Sequence, residues 1–241
     1  MEQESQDDGQ VRRVMGVFAH PDDPEFFSGA TFARWAFEGA EITFVVATSG
    51  DKGSDDPEMT HARLTEIREI EEVAAAKALG VKDVIFLRYP DGTLEPNIEL
   101  RRDITRLIRL KKPDTIVTCD PRNLYGSGYI NHPDHRAIGT AVIDAVYPTA
   151  RDRLNFLEME QEEGLSPHKV KKVYLAGAVE PAIRVDVTEY IETKINALRE
   201  HKSQIKDMDA MAARIRERTL DPGAPGEYPR HVESFFVITL G

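Results

Sequence analysis

The chain has 241 residues and a single cysteine, Cys119. One cysteine excludes an intrachain disulfide framework and any zinc site built on paired thiolates. It suits a reducing compartment, and a cytoplasmic location is expected. Cys119 closes an apolar run and reads as a small buried hydrophobe rather than a nucleophile. A surplus of positive charge is also missing. The formal net charge is −11, which argues against a general nucleic-acid binder and against docking on an anionic membrane. No apolar run approaches the ~18 residues that a spanning helix needs. The acidic opening MEQESQDDGQ lacks the basic-then-apolar layout of a signal peptide. Residues 1–11 are expected to form a flexible acidic tail. Several catalytic signatures are absent too: no G-x-G-x-x-G follows the first apolar run, and no Walker loop, H-E-x-x-H or G-x-S-x-G occurs.

What is present is a regular alternation. Short apolar runs at 13–19, 41–49, 83–89 and 114–120 read as strands, separated by helical patterns at 30–40, 61–81 and 97–113. A helix is expected from 135 to about Tyr147, strands at 171–178 and 183–188, a helix over 189–208, and a last strand at 232–240 on an edge or against the core. Strands that are apolar on both faces and alternate with helices predict an α/β fold. We expect a single-domain, Rossmann-like, mostly parallel sheet flanked by helices, spanning 12–241. The acidic segment 151–170 reads as a lid or a partner surface. Nothing in the pattern precludes a homo-oligomer.

In such sheets ligands bind outside the carboxyl ends of the strands. Those ends carry His20-Pro21-Asp22-Asp23 and, after the fourth strand, His132-Pro133-Asp134-His135. Each segment precedes a helical pattern, and proline suits the first helical position. Residues three apart on a first helical turn are neighbours. His20 can therefore converge with Asp23, and His132 with His135. Two histidines and a carboxylate are a recurrent catalytic metal set that leaves a position open, and His20, Asp23 and His135 would supply one. Asp22 could then reach water as a general base. His132 could donate to a developing oxyanion, and Asp134 could orient His132. Glu25 reads only as an acid that suits the start of a helix. The structural alternative is that both segments are simple turns and caps.

An apolar strand entering AHPDDPEF, with a later HPDH before a helix, resembles the PIG-L/LmbE-like de-N-acetylase family. The blocks TFVVATSGDKGS, EIREIEEVAAAKALGV, FLRYPDGTL, KPDTIVTCDP and INALREHKSQ extend the resemblance through most of the chain. Asp51 stands where glutamate is usual. Ile130 stands where some members carry a tyrosine, with Tyr129 beside it and Tyr125 further back. The resemblance implies a Rossmann-like hydrolase that removes acetyl from N-acetylglucosaminyl conjugates. It implies one Zn²⁺ held by His20, Asp23 and His135; the choice of His135 over His132 rests on it. It implies Asp22 as general base and acid, and His132 as oxyanion donor held by Asp134. The same donor types also suit Fe²⁺. Arg68 is a candidate for substrate binding, or for an ion pair with Glu71 or Glu72 on the helix surface. His201 reads as part of a solvated helical face. The expected partner is a small amino-sugar conjugate, with no nucleic acid and no membrane. Two other readings stay open: a metal amidase acting on a larger amide conjugate, and a binding protein that kept the fold without catalysis. Asp22 separates the last, because a binding protein needs no carboxylate beside the metal.

Overall fold

Strand and helix alternate along the chain in the computed structural model, which describes residues 13–221, 223 and 229–241. The acidic tail expected at 1–11 lies outside the described residues. β1 (Arg13–Phe18) leads into α1 (Asp23–Phe37), β2 (Glu41–Thr48) into α2 (His61–Ala78), and β3 (Asp83–Tyr89) into α3 (Ile98–Lys111). β4 (Thr115–Cys119) is followed by a small hairpin of β5 (Tyr125–Gly126) and β6 (Tyr129–Ile130), then by α4 (Pro133–Asp144). After α5 (Leu157–Gln161) come β7 (Lys172–Ala176), β8 (Ile183–Asp186), α6 (Ile191–Leu198), α7 (Met208–Thr219) and β9 (Val232–Thr239).

Seven strands form one sheet in the order β3-β2-β1-β4-β7-β9-β8. The first five run parallel. β9 is antiparallel to both β7 and β8. The last strand is therefore interior, and β8 takes the edge that the sequence pattern offered to β9. Helices cover the sheet, so β1, β2 and β4 are buried along nearly their whole length, which is why they read as unbroken apolar runs. Fully burying a side chain such as Phe44 or Ile42 contributes roughly 1.5–3 kcal/mol each. Strand order reverses at β1, whose neighbours are β2 and β4. The crevice of such a sheet opens at that reversal, between the loops that leave β1 and β4.

Two local features set those loops. Gly139 lets α4 lie directly on the end of β4: a Cβ there would stand 2.3 Å from the Cys119 carbonyl. α1 starts at Asp23, earlier than its apolar pattern, and breaks at Ser28, where φ is −148°. The amides of Ala30 and Thr31 donate to the Glu233 carboxylate at 3.2 and 2.8 Å. Lys194 Nζ donates to the Phe26 carbonyl at 2.9 Å and pairs with Glu233 at 2.6 Å. A buried ion pair from distant parts of the chain thus satisfies the break.

Two further expectations change. The helix expected over 189–208 ends at Leu198, and a new helix begins at Met208. The segment 151–170 is not a free lid. The buried guanidinium of Arg109, on α3, donates to the carbonyls of Thr149, Ala150, Asp152, Asn155 and Phe156, and Met159 on α5 is fully buried. Cys119 is buried as expected, and burial pushes its thiol well above the usual range, which leaves it inert as a nucleophile.

Candidate active site

The turn after β1 is closed by its own second aspartate. The His20 amide donates to Asp23 Oδ2 at 2.8 Å, and the Asp23 amide donates to the His20 carbonyl at 3.3 Å. This places His20 Nδ1 3.3 Å from Asp23 Oδ2. The other oxygen, Asp23 Oδ1, lies 3.0 Å from His135 Nε2. The ligand atoms of His20, Asp23 and His135 lie within 4.8 Å of one another. The expected trio is brought together, from chain segments more than a hundred residues apart.

The surroundings of each ring indicate which nitrogen is free. His135 Nδ1 lies 3.0 Å from Asn131 Oδ1. An amide oxygen can only accept, so the ring proton belongs on Nδ1, and Nε2 presents its lone pair to Asp23. His20 Nε2 faces two carboxylates, Asp91 Oδ1 at 3.2 Å and Asp134 Oδ2 at 3.4 Å, which favour the proton on that side and leave Nδ1 toward Asp23. A carboxylate flanked by two imidazole lone pairs is repulsive unless a cation or a proton lies among them. Burial would push the His20 imidazole down, but Asp134, Asp23 and Asp91 together carry it up to about 12. The pocket therefore attracts positive charge, and its donors fit a divalent metal.

Asp22 occupies the N-cap position of α1 with φ 91°, in the left-handed region. Such a backbone costs about 1–3 kcal/mol and persists only where the surroundings enforce it. Its side chain makes no capping hydrogen bond. Asp22 Oδ2 accepts from Arg68 Nη2 at 3.1 Å. Burial raises the Asp22 carboxyl to about 6, against the lowering effect of Arg68. A carboxyl poised there suits proton transfer near neutral pH.

His132 caps α4, and its Nδ1 accepts from the Asp134 amide at 3.2 Å. That bond leaves the proton on Nε2, as a donor. The ring is the most open of the site histidines, with 41% of its side chain exposed, and burial together with His20 lowers its basicity. Asp134 does not orient His132 through its carboxylate, contrary to expectation. The nearest approach to His132 Nδ1 is 4.0 Å, too long for a hydrogen bond. That carboxylate accepts instead from the amides of Gly92 and Leu94, at 2.7 and 3.2 Å, and faces His20. The reason is geometric: at the second helical position its backbone N–H already serves His132, while its side chain points down to the loop after β3.

Arg68 is buried, not on a helix surface, and forms no pair with Glu71 or Glu72. Nη1 donates to the Gly50 carbonyl at 2.9 Å and Nη2 to the Pro21 carbonyl at 2.6 Å, in addition to Asp22. Gly50 has φ +61°, and a Cβ there would stand 2.2 Å from Arg68 Nη1, so glycine is required twice over. Glu71 accepts from Ser203. Tyr129 donates its hydroxyl to Asn123 at 3.0 Å, and Tyr125 is exposed.

Sequence reasoning missed four residues. Asp91, in the PDG turn after β3, faces His20, and with His20 and His132 forms a second set of donors within 4.8 Å. Its place at the carboxyl end of a strand was the available signal. Glu25, Glu72 and His201 form a third such set, wholly buried. This corrects both the reading of Glu25 as a simple helix-opening acid and that of His201 as a solvated residue. For Glu72 the signal was periodic: it shares one stripe of α2 with the buried Leu64, Arg68, Ala75 and Ala76.

The family model of PIG-L, GlcNAc-PI de-N-acetylase, matches residues 15–146. Diacetylchitobiose deacetylase of Thermococcus kodakarensis is 31% identical over 197 residues, covering 82% of this chain and 72% of the relative. The 1D-myo-inositol 2-acetamido-2-deoxy-alpha-D-glucopyranoside deacetylase of Kineococcus radiotolerans is 31% identical over 291 residues, covering 92% and 78%. Among solved structures, N,N'-diacetylchitobiose deacetylase from Pyrococcus horikoshii superposes with a TM-score of 0.83 at 29% identity, covering 95% of this chain and 85% of that one. The sheet, the paired His-Pro-Asp segments and these matches agree: this chain belongs to the PIG-L family of GlcNAc-PI de-N-acetylases.

Proposed function

We propose that this chain is a metal-dependent hydrolase that removes acetyl from an N-acetylglucosaminyl conjugate, working in the cytoplasm. The observation that carries the reading is the Asp23 carboxylate held between His20 Nδ1 and His135 Nε2, with the carboxyl of Asp22 on the adjoining residue. Relatives named for acetylated chitobiose and for a glucosaminyl inositol support the substrate class. Among the described residues no helix is long and apolar enough to cross a membrane.

His20, Asp23 and His135 would hold the metal, with Zn²⁺ the first candidate and Fe²⁺ the second. A divalent ion there would polarise the acetyl carbonyl and acidify water. Asp22 accepts the proton of the attacking water as the new C–O bond forms. His132 donates from Nε2 to the carbonyl oxygen as negative charge develops, its tautomer set by the Asp134 amide. Asp22 then returns the proton to the nitrogen as the C–N bond breaks, and acetate and a free amine leave. For Arg68 we propose the role its contacts support, holding the Asp22 carboxylate.

The test is free-amine release by protein reconstituted with zinc or with iron. The panel comprises diacetylchitobiose, N-acetylglucosamine, and glucosaminyl conjugates of inositol and malate in acetylated form. Amine from at least one is expected. No amine from any, with either metal bound, would favour the non-catalytic binding protein.

A further inference from the structure

An aspartate at an N-cap ordinarily takes extended backbone and turns its carboxylate back onto the amides of the first turn. Asp22 does neither: its φ is 91° and its side chain caps nothing. The carboxylate of a general base must be free of such a bond, so whatever keeps Asp22 left-handed also keeps it available.

The contacts name the agent. The Asp22 amide donates to Glu72 Oε2 at 3.0 Å, across 50 residues of sequence. Glu72 lies one helical turn beyond Arg68 on the buried stripe of α2. Its side chain is wholly buried, and His201 Nε2 stands 3.8 Å from Glu72 Oε2 and 3.3 Å from Glu25 Oε2. α1, α2 and the turn after α6 meet at this point. We infer that Glu72 is a positioning residue for Asp22, pinning its backbone N–H so that the residue stays left-handed and its carboxylate stays aimed at the reaction instead of capping α1. The inference rests on the reading of Asp22 as the base.

Replacing Glu72 by methionine removes the acceptor at similar side-chain length. Small displacements of a reacting group cost up to about 10²-fold. Glu72→Met should therefore lower kcat by roughly 10- to 100-fold, with KM and zinc stoichiometry unchanged. Its crystal structure should show Asp22 at negative φ with the carboxylate on the first-turn amides. Glu72→Gln retains an acceptor oxygen and should stay within about threefold of wild type. In an Asp22→Asn background no base remains to be aimed, so adding Glu72→Met should cost no more than about twofold.

A wild-type kcat for Glu72→Met would overturn the inference. So would the same fold-loss in the Asp22→Asn background, or loss of zinc. Should Glu72→Met fail to fold, Glu72→Gln decides: Asp22 still left-handed on the glutamine oxygen supports the brace, and a relaxed Asp22 at full kcat refutes it. A wild type that releases no amine defeats the assignment of Asp22 as base. The backbone of Asp22 in Glu72→Met still reports on the brace in that case.

Discussion

Two His–carboxylate clusters meet at the start of α1. In each, the ligand atoms of three residues lie within 4.8 Å of one another. His20, Asp23 and His135 keep side-chain exposures of 10, 7 and 15%, with the more open His132 beside them. Glu25, Glu72 and His201 have none. The charge balance differs as well. The open cluster has two imidazoles facing one carboxylate, and His135 and His20 hold Asp23 well below the usual carboxylate range against the opposing effect of its burial. The sealed cluster has two carboxyls and one imidazole. Burial pushes both acids well above their ordinary range. The Glu25 charge adds to this at Glu72, and the Asp22 and Asp23 charges add to it at Glu25. Similar donors thus serve different ends. Where the cluster is partly exposed beside His132, the donors suit a metal and chemistry. Where nothing can enter, they suit a proton and a fixed geometry.

The largest effect that bears on this contrast is expected from metal ligation. His135→Ala should lose bound zinc and lower amine release by about 10³-fold or more, since a metal supplies several kcal/mol of transition-state stabilisation. Glu72→Gln should keep its full zinc complement by elemental analysis. Equal zinc loss from both proteins would erase the distinction between the clusters. Next in size is Asp22→Asn, expected to reduce turnover by roughly 10²–10⁴ with zinc retained. Near-normal turnover in that zinc-loaded protein would remove Asp22 from its role.

The smallest expected effect concerns stability. Glu72 has a folded-state pKa above its unfolded value of about 4.3. Its contribution is present in full below that value and is lost as pH rises toward the folded pKa, because the native state keeps a proton that the unfolded chain releases. Glu72→Gln cannot titrate. From about pH 4.3 upward, wild-type stability should fall relative to the variant, by up to about 1.4 kcal/mol per pH unit, or roughly 3–6 °C in Tm for a chain of this size. Parallel melting curves across that range would mean that Glu72 is ionised in the folded protein.

Much of this architecture is legible in the residue pattern. β1, β2 and β4 are short apolar runs because helices cover both faces of the sheet, and hydrophobic pattern reports burial directly. The His-Pro-Asp segments stand out because they follow such runs at strand ends. The position of β9 does not, since an apolar strand carries no record of which neighbour it will pair with, and β9 fits between β7 and β8 as well as at an edge. The sealed cluster is hidden for a related reason. Glu25, Glu72 and His201 are polar, and a polar residue in a helical or turn pattern looks the same whether it faces solvent or a buried partner 176 residues away, as His201 faces Glu25.

Asp134 marks the boundary most clearly. Its residue type and spacing put it beside His132, and it is there. But its amide, not its carboxylate, makes the bond, because the first turn of α4 aims the side chain at Gly92 and Leu94. The strands, the strand ends that carry the chemistry and the residue types gathered there all follow from local pattern and spacing, so the amino-acid sequence alone specifies them. Which atoms of those residues face each other, which acids are sealed, and that Asp22 stands left-handed on Glu72 were decided by the packed molecule. Those outcomes depend on contacts between segments far apart in the chain, and local pattern carries no information about them.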